Sequence, residues 1–328
     1  MPLLIYIIAA SAPQMARIPQ EATLLLQRVL ALRRSERMIL EETFTLANGV
    51  AIPKIGLGTW RIDDAAVGQV VRDAIGVGYR HIDTAQAYGN ERGVGEGARA
   101  SGVARDALFI TTKLVAECKS FNEARERIDG SLKALRLDYI DLMLIHSPQP
   151  WAEFREGEHF FEGNLEAWRA LEEAHQAGKL RAIGVSNFEA PDLDNLFEHG
   201  SVAPVVNQIL AHVGNMPFDL IDYSHSKGLL VEAYSPVAHG AALNSAQLAE
   251  LAGKYGVGIA QLCIRYCLQL DLLPLPKSSS AQHIRENATI DFVISDEDMA
   301  ALRQVGGRID YGEASVFPVF GKKRQAAR

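Results

Sequence analysis

Eight short apolar runs, separated by segments of helical periodicity, constrain this chain more than any other feature. They are IGLGTW (55–60), HIDTA (81–85), LFITTKL (108–114) and IDLMLIHS (140–147), then AIGVSNF (182–188), VVNQI (205–209), LLVEAYSP (229–236) and LLPLPK (272–277). Between them, segments such as DDAAVGQVVRDAIG (63–76) and NLEAWRALEEAHQAG (164–178) show helical apolar spacing and end near glycine, as helices do. Strands that alternate with helices pair in parallel. With helical connections throughout and one more helix after the last run, eight strands predict a single closed (β/α)8 TIM barrel, an α/β fold. Upstream, FTLANGVAIP alternates apolar residues about Asn48-Gly49, a hairpin signal. This N-terminal β-hairpin is expected to close the barrel bottom. A doubly wound open sheet is the competing architecture. It requires a glycine-rich phosphate loop at a strand-to-helix turn, whereas GVGEG (93–97) lies inside a helical stretch.

At 328 residues the chain is long enough for two domains, yet a barrel of about 250 residues forms one. The expected division is an extension over residues 1–38, disordered or partly helical, and a barrel over residues 39–328. Leu3 to Ala10 is an apolar run far short of the roughly 20 residues that span a bilayer. No basic residue precedes it, although Ala10-Ser11-Ala12 imitates a cleavage site. A cleaved targeting peptide is therefore the alternative to an accessory extension. Thr23 to Arg37 is patterned as a basic amphipathic helix, and globular patterning opens at Met38, which reads as a natural start.

The first 38 residues hold five arginines against two glutamates, so the net charge of −7 becomes −10 over the remainder. An acidic body repels phosphate backbones, and neither a nucleic acid nor a membrane is expected as partner. With 48% hydrophobic and 22% charged residues, wholesale disorder is excluded. Cys118, Cys263 and Cys267 form no C-x-x-C pair. The last two, one helical turn apart, read as core thiols rather than metal ligands. A reduced, cytoplasmic protein without a metal is the expectation.

Polar residues collect where the runs end. Asp83 and Thr84 close the second, with Tyr88 just beyond, Lys113 closes the third and His146 the fourth. Ser186-Asn187, Gln208, Tyr234-Ser235 and Lys277-Ser278 close later ones. In a (β/α)8 barrel this face holds the active site. A free tyrosine, with a pKa of about 10, is a poor acid near neutrality. A neighbouring ammonium such as Lys113 lowers that pKa, and the Asp83 carboxylate keeps Lys113 charged. His146 can hold a substrate oxygen against Tyr88. The set suits protonation of a carbonyl oxygen as negative charge develops there. Two other readings stay open. Asp83–Lys113 can be a purely structural ion pair, or Lys113 can serve as a Schiff-base aldolase nucleophile, although that role wants a lysine of lowered pKa.

GYRHIDTAQAYGNE, FITTKL, LDYIDLMLIHSP, GKLRAIGVSNF, NQI, VEAYSP and LPKSSS, in this order and spacing, resemble the aldo-keto reductases. The likeness runs from about Thr43 to Tyr311 and is nearest to the bacterial group that includes 2,5-diketo-D-gluconate reductases. It implies a (β/α)8 barrel that reduces aldehydes, ketones or keto-sugars to alcohols with NADPH, NADH being possible. The family's catalytic tetrad falls on Asp83, Tyr88, Lys113 and His146, with Tyr88 as proton donor. By the same resemblance Ser186, Asn187 and Gln208 would bond the nicotinamide carboxamide, Tyr234 would stack under the ring, and Ser235 would help bind the diphosphate. Lys277, Ser278 and Ser280 would contact the adenosine phosphate, with Glu286 and Asn287 near the adenine. Gly58, Thr59 and Trp60 would line the junction of cofactor and substrate, Trp60 and His146 meeting the substrate. A monomer acting on a small carbonyl compound is implied. An NADPH-binding regulatory or redox-sensing barrel with little turnover is the alternative.

Some positions depart from the family pattern. His283 stands where relatives usually place arginine, which gives a 2′-phosphate less charge and no bidentate fork. Val115 and Ser147 replace residues that are commonly aromatic, predicting a wider and wetter pocket. Few residues follow RIDYGEASVF, so the loop PQPWAEFREGEHFFEGN (148–164) is the expected lid.

Overall fold

The computed structural model describes residues 38–306 and 310–321. The apolar run Leu3 to Ala10 and the segment Thr23 to Arg37 lie outside the described residues.

Thr43–Thr45 (β1) and Ala51–Pro53 (β2) pair antiparallel, Phe44 opposite Ile52. Their connection runs over residues 46–50 instead of a two-residue turn. It closes through the Leu46 N–H donating to the Val50 carbonyl at 2.9 Å, with Gly49 at φ 84°, a backbone state glycine adopts without steric cost. Leu46 and Ile52 pack against Phe109, Leu142, Val206 and Leu273. The Asn48 amide donates to the Arg181 carbonyl at the start of a barrel strand. The hairpin thus plugs the end of the barrel at which the strands enter.

The eight parallel strands are Gly56–Gly58 (β3), His81–Asp83 (β4), Phe109–Leu114 (β5), Ile140–Ile145 (β6), Leu180–Ser186 (β7), Val206–Leu210 (β8), Leu230–Tyr234 (β9) and Leu273–Leu275 (β10). They pair in chain order. The ring closes where Gly58 bridges Lys277 in parallel and its N–H donates to the Pro276 carbonyl at 3.0 Å. Every residue of β5 and β6 is buried. Helices cover the outside and side chains fill the inside, so these strands read as continuous apolar runs, not alternating ones.

The helices are Asp64–Val77 (α1), Glu91–Ala100 (α2), Phe121–Leu135 (α3), Phe161–Gln176 (α4), Ala190–His199 (α5) and Phe218–Ser226 (α6). Ala246–Lys254 (α7) and Ile259–Gln269 (α8) both lie between β9 and β10, and Ala281–Ala288 (α9) and Asp296–Gln304 (α10) follow β10. The last crossover is therefore doubled, and two helices rather than one follow the final strand. Leu248 and Leu251 of α7 share one apolar cluster with Leu262 and Tyr266 of α8, which accounts for the extra helix.

The GVGEG segment forms α2, as the helical spacing predicts, and its glycines serve packing. A Cβ at Gly95 would lie 2.0 Å from the Leu135 carbonyl oxygen, and one at Gly97 would lie 2.5 Å from that of Gly68. Only glycine lets α2 come this close to α1 and α3. Cys263 and Cys267 are buried in α8, and the described cysteines are all free thiols.

Candidate active site

Each strand delivers its polar residue at its exit. Asp83 ends β4, Lys113 is the penultimate residue of β5, and His146 follows β6. Tyr88 ends the single 3-10 turn Gln86–Tyr88, which stops at Gly89 with φ 68°. Gln86 anchors that turn. Its amide nitrogen donates to the Arg127 carbonyl and Ser131 Oγ, and its Oε1 accepts from the Val115 N–H.

Lys113 is wholly buried. Its Nζ donates to Asp83 Oδ1 at 2.8 Å, to Asp83 Oδ2 at 2.7 Å and to the Thr84 carbonyl at 2.9 Å, and stands 3.4 Å from Tyr88 Oη. Burial works against the ammonium charge, but Asp83 outweighs it with help from Tyr88 and Glu232, and the Lys113 pKa rises above its ordinary value. A Schiff-base nucleophile needs the opposite shift. For Tyr88, burial raises the phenol pKa while Lys113 pulls it down, and burial prevails. Proximity of the ammonium alone predicts a fall. Desolvation of a phenolate in this cleft is the larger effect, so Tyr88 carries its proton near neutrality. Burial, then the charge of Lys113, holds the His146 pKa well below its usual value. The imidazole is therefore neutral, with its ring 5.7 Å from that of Tyr88, edge to face.

These residues open on a cavity of about 1440 Å³, larger than the roughly 300–1,000 Å³ of a typical single-ligand pocket. Asp83, Tyr88, His146, Ser186, Asn187 and Gln208 line it, as do Trp60, Tyr234 and Ser235. It continues past Lys277, Ser278, His283, Glu286 and Asn287. Asn187, at φ 63°, donates through Nδ2 to the His146 carbonyl and accepts from the Tyr234 hydroxyl at 2.7 Å. Ser186 Oγ donates to the Gln208 carbonyl, and Ser235 Oγ pairs with His239 Nε2 at 3.1 Å.

Four expected site residues stand off the cavity wall. Lys113 sits behind Tyr88. Gly58 is spent on barrel closure, and the Thr59 hydroxyl is turned to the Asp83 carbonyl at 2.9 Å. Ser280 caps α9, accepting from the His283 N–H at 3.4 Å. The lid differs as well. Of residues 148–164 only Trp151 lines the cavity, its ring 5.2 Å from that of His146, whereas Tyr311, Phe317 and Phe320 from the end of the chain line it too. Trp60 packs on Phe317 and Phe320 at 5.0 and 5.8 Å. Val115 and Ser147 do not line the cavity, so their small size does not widen it.

A dinucleotide phosphate fits this donor set. Lys277 lines the cavity with no anionic partner among the described residues, burial and the charge of Arg61 lower its pKa, and an anion there would offset both effects.

Sequence reasoning missed Glu232. It lies on β9 two residues before Tyr234, fully buried, with Oε2 accepting from Gln208 Nε2 at 2.7 Å. Burial and the negative charge of Asp83 push its pKa up to about 8. Strand alternation, which puts residues 230, 232 and 234 on one face, is the signal that could have found it.

Residues 54–306 match the aldo/keto reductase family. Over 262 residues the chain is 40% identical to the glyoxal reductase of Bacillus subtilis, covering 79% of this chain and 91% of that protein. It is 36% identical over 271 residues to methylglyoxal reductase DkgA of Yersinia pestis, covering 82% and 94%. Among solved structures, a Bombyx mori aldo-keto reductase in complex with NADP superposes with a TM-score of 0.75 at 34% identity, covering 85% of this chain and 98% of that one.

Proposed function

Since the chain belongs to the aldo/keto reductase family and is an NADPH-dependent carbonyl reductase, we propose that Tyr88 is its proton donor, served by Lys113, Asp83 and His146. The observation that carries this reading is Lys113 Nζ, held between both Asp83 oxygens and Tyr88 Oη. NADPH, when bound, supplies the hydride to the carbonyl carbon. Tyr88 protonates the carbonyl oxygen as charge builds on it, and the fixed Lys113 ammonium stabilises the resulting phenolate. Neutral His146 donates a hydrogen bond that orients the same oxygen.

The cofactor roles follow the cavity. Ser186, Asn187 and Gln208 would hold the nicotinamide carboxamide, Tyr234 would serve its ring, and Ser235 would serve the diphosphate. Lys277, Ser278 and His283 would hold the adenosine phosphate, and Glu286 and Asn287 would serve the adenine. Ser280 acts by fixing the start of α9, and Gly58 and Thr59 by fixing the floor beneath Trp60.

For the substrate, we propose small aldehydes and ketones, 2-oxoaldehydes among them. Two relatives are named for reducing glyoxal and methylglyoxal, and Tyr88 and His146 share the cavity lining with the aromatic Trp60, Trp151 and Phe317. Cofactor oxidation across a carbonyl panel, with NADPH and NADH side by side, tests this. Turnover restricted to bulky keto-sugars would overturn the substrate assignment. We further propose a cytoplasmic monomer whose catalytic domain spans residues 39–328. Its buried free thiols support a reducing compartment, and no helix among the described residues is long and apolar enough to cross a membrane.

A further inference from the structure

Beneath the catalytic residues lies a second layer of buried polar groups that carbonyl reduction does not use directly. Gln208 Nε2 has two N–H donors. One goes to Asp83 Oδ1 at 2.9 Å and the other to Glu232 Oε2 at 2.7 Å. Both partners are carboxyl oxygens, and Asp83, Gln208 and Glu232 are all buried. With both N–H groups committed inward, Oε1 is the polar atom Gln208 has left for the cavity it lines. The reverse amide orientation would aim that oxygen at the Asp83 carboxylate, which repels it.

Asp83 disfavours the reversed amide but does not fix its plane. Its Oδ1 already accepts from Lys113 at 2.8 Å and holds one of the two N–H groups, so the amide can still turn about that bond. Glu232 supplies the second fixed point. Its backbone is paired with Gln208 across β8 and β9, which sets the reach of the two side chains. The charged groups facing Glu232 are Asp83 from β4 and Lys113 from β5. One ammonium beside one carboxylate is already balanced, so a second buried negative charge would be uncompensated. A protonated Glu232 still offers a carbonyl-type oxygen to Gln208. Glu232 Oε1 has no hydrogen-bond partner, an expensive situation for a carboxylate and a tolerable one for a neutral acid.

We propose that Glu232 is a positioning residue that locks the Gln208 amide with its oxygen toward the cavity, so that the site presents an acceptor to the N–H of the nicotinamide carboxamide. This rests on the reading that Gln208 meets that carboxamide. Glu232 thereby selects among nicotinamide-type ligands without touching them.

The test compares NADPH with its 3-acetylpyridine analogue, in which a methyl ketone replaces the carboxamide and offers no N–H donor. Dissociation constants are measured by quenching of tryptophan fluorescence in the full chain at pH 7, with the melting temperature recorded for each variant. Glu232→Leu is expected to weaken NADPH about fivefold to tenfold, the worth of one neutral hydrogen bond, and to leave the analogue nearly unchanged. Glu232→Gln, which retains an acceptor oxygen, is expected to restore the preference for NADPH. Should the leucine variant fail to fold, Glu232→Ala replaces it. Equal weakening of both ligands, or of neither, in the leucine or alanine variant would overturn the proposal, as would failure of the glutamine variant to restore the preference. Gln208→Met separates the two levels. If it abolishes the preference while Glu232→Leu does not, Glu232 has no positioning role. If Gln208→Met leaves the preference intact, Gln208 does not meet the carboxamide, and both readings fall.

Discussion

Lys113 grips both oxygens of Asp83, at 2.8 and 2.7 Å, inside the mouth of the barrel. Removing one partner leaves the other charge buried and unpaired, which typically costs about 3–5 kcal/mol. Lys113→Met should therefore lower the melting temperature and abolish turnover together. Adding Asp83→Asn should recover much of the stability and none of the activity. Thermal unfolding and kcat on the two proteins check this. Recovery of both would make the pair merely structural.

Glu232 predicts a pH dependence of stability. In the unfolded chain a glutamate ionises near 4.5, whereas in the barrel its pKa is raised to about 8. Between those values the folded state holds a proton that the unfolded state has released. Its contribution is complete below the lower value and is lost as pH rises through the upper one. Glu232→Gln has no proton to lose, so its melting temperature should decline less than that of the wild type between pH 5 and pH 8. Parallel curves would contradict a neutral Glu232.

The adenosine phosphate end offers a specificity test. His283 lines the same cavity as Lys277, which has no anionic partner among the described residues. His283→Arg adds a permanent charge and a forked donor. A charged hydrogen bond contributes about 1.5–3 kcal/mol, so the ratio of kcat/KM for NADPH over NADH should rise roughly tenfold or more. Lys277→Met should lower it comparably. An unchanged ratio in both would place the 2′-phosphate elsewhere.

The proposed catalytic domain begins after residue 38. A chain lacking residues 1–38 should keep kcat/KM within about twofold of the full chain. A larger loss would give the basic N-terminal segment a catalytic role.

What was legible followed from physics that acts locally. Parallel strands buried on both faces show as apolar runs, and Asp83, Lys113 and His146 could be read from the ends of theirs. Features that depend on competition or distance were not legible. The direction of the Tyr88 shift is a contest between desolvation and a cation, which sequence cannot weigh. Phe317 and Phe320 line the cavity through ring contacts to Trp60, more than 250 residues away, and no periodicity announces them. Glu232 is hidden in VEAYSP because nothing in the sequence distinguishes it from a solvent-facing glutamate except the alternation that turns both it and Tyr234 inward.

The proposed role of Tyr88 is to deliver the proton while Lys113 and Asp83 hold it ready. Tyr88→Phe removes only the hydroxyl, so the most direct measurement is its kcat set beside its dissociation constant for NADPH. The expected kcat is reduced by about 10²–10⁴-fold, the usual worth of a positioned general acid, with NADPH affinity within about twofold of wild type. Turnover close to wild type in that variant would contradict it.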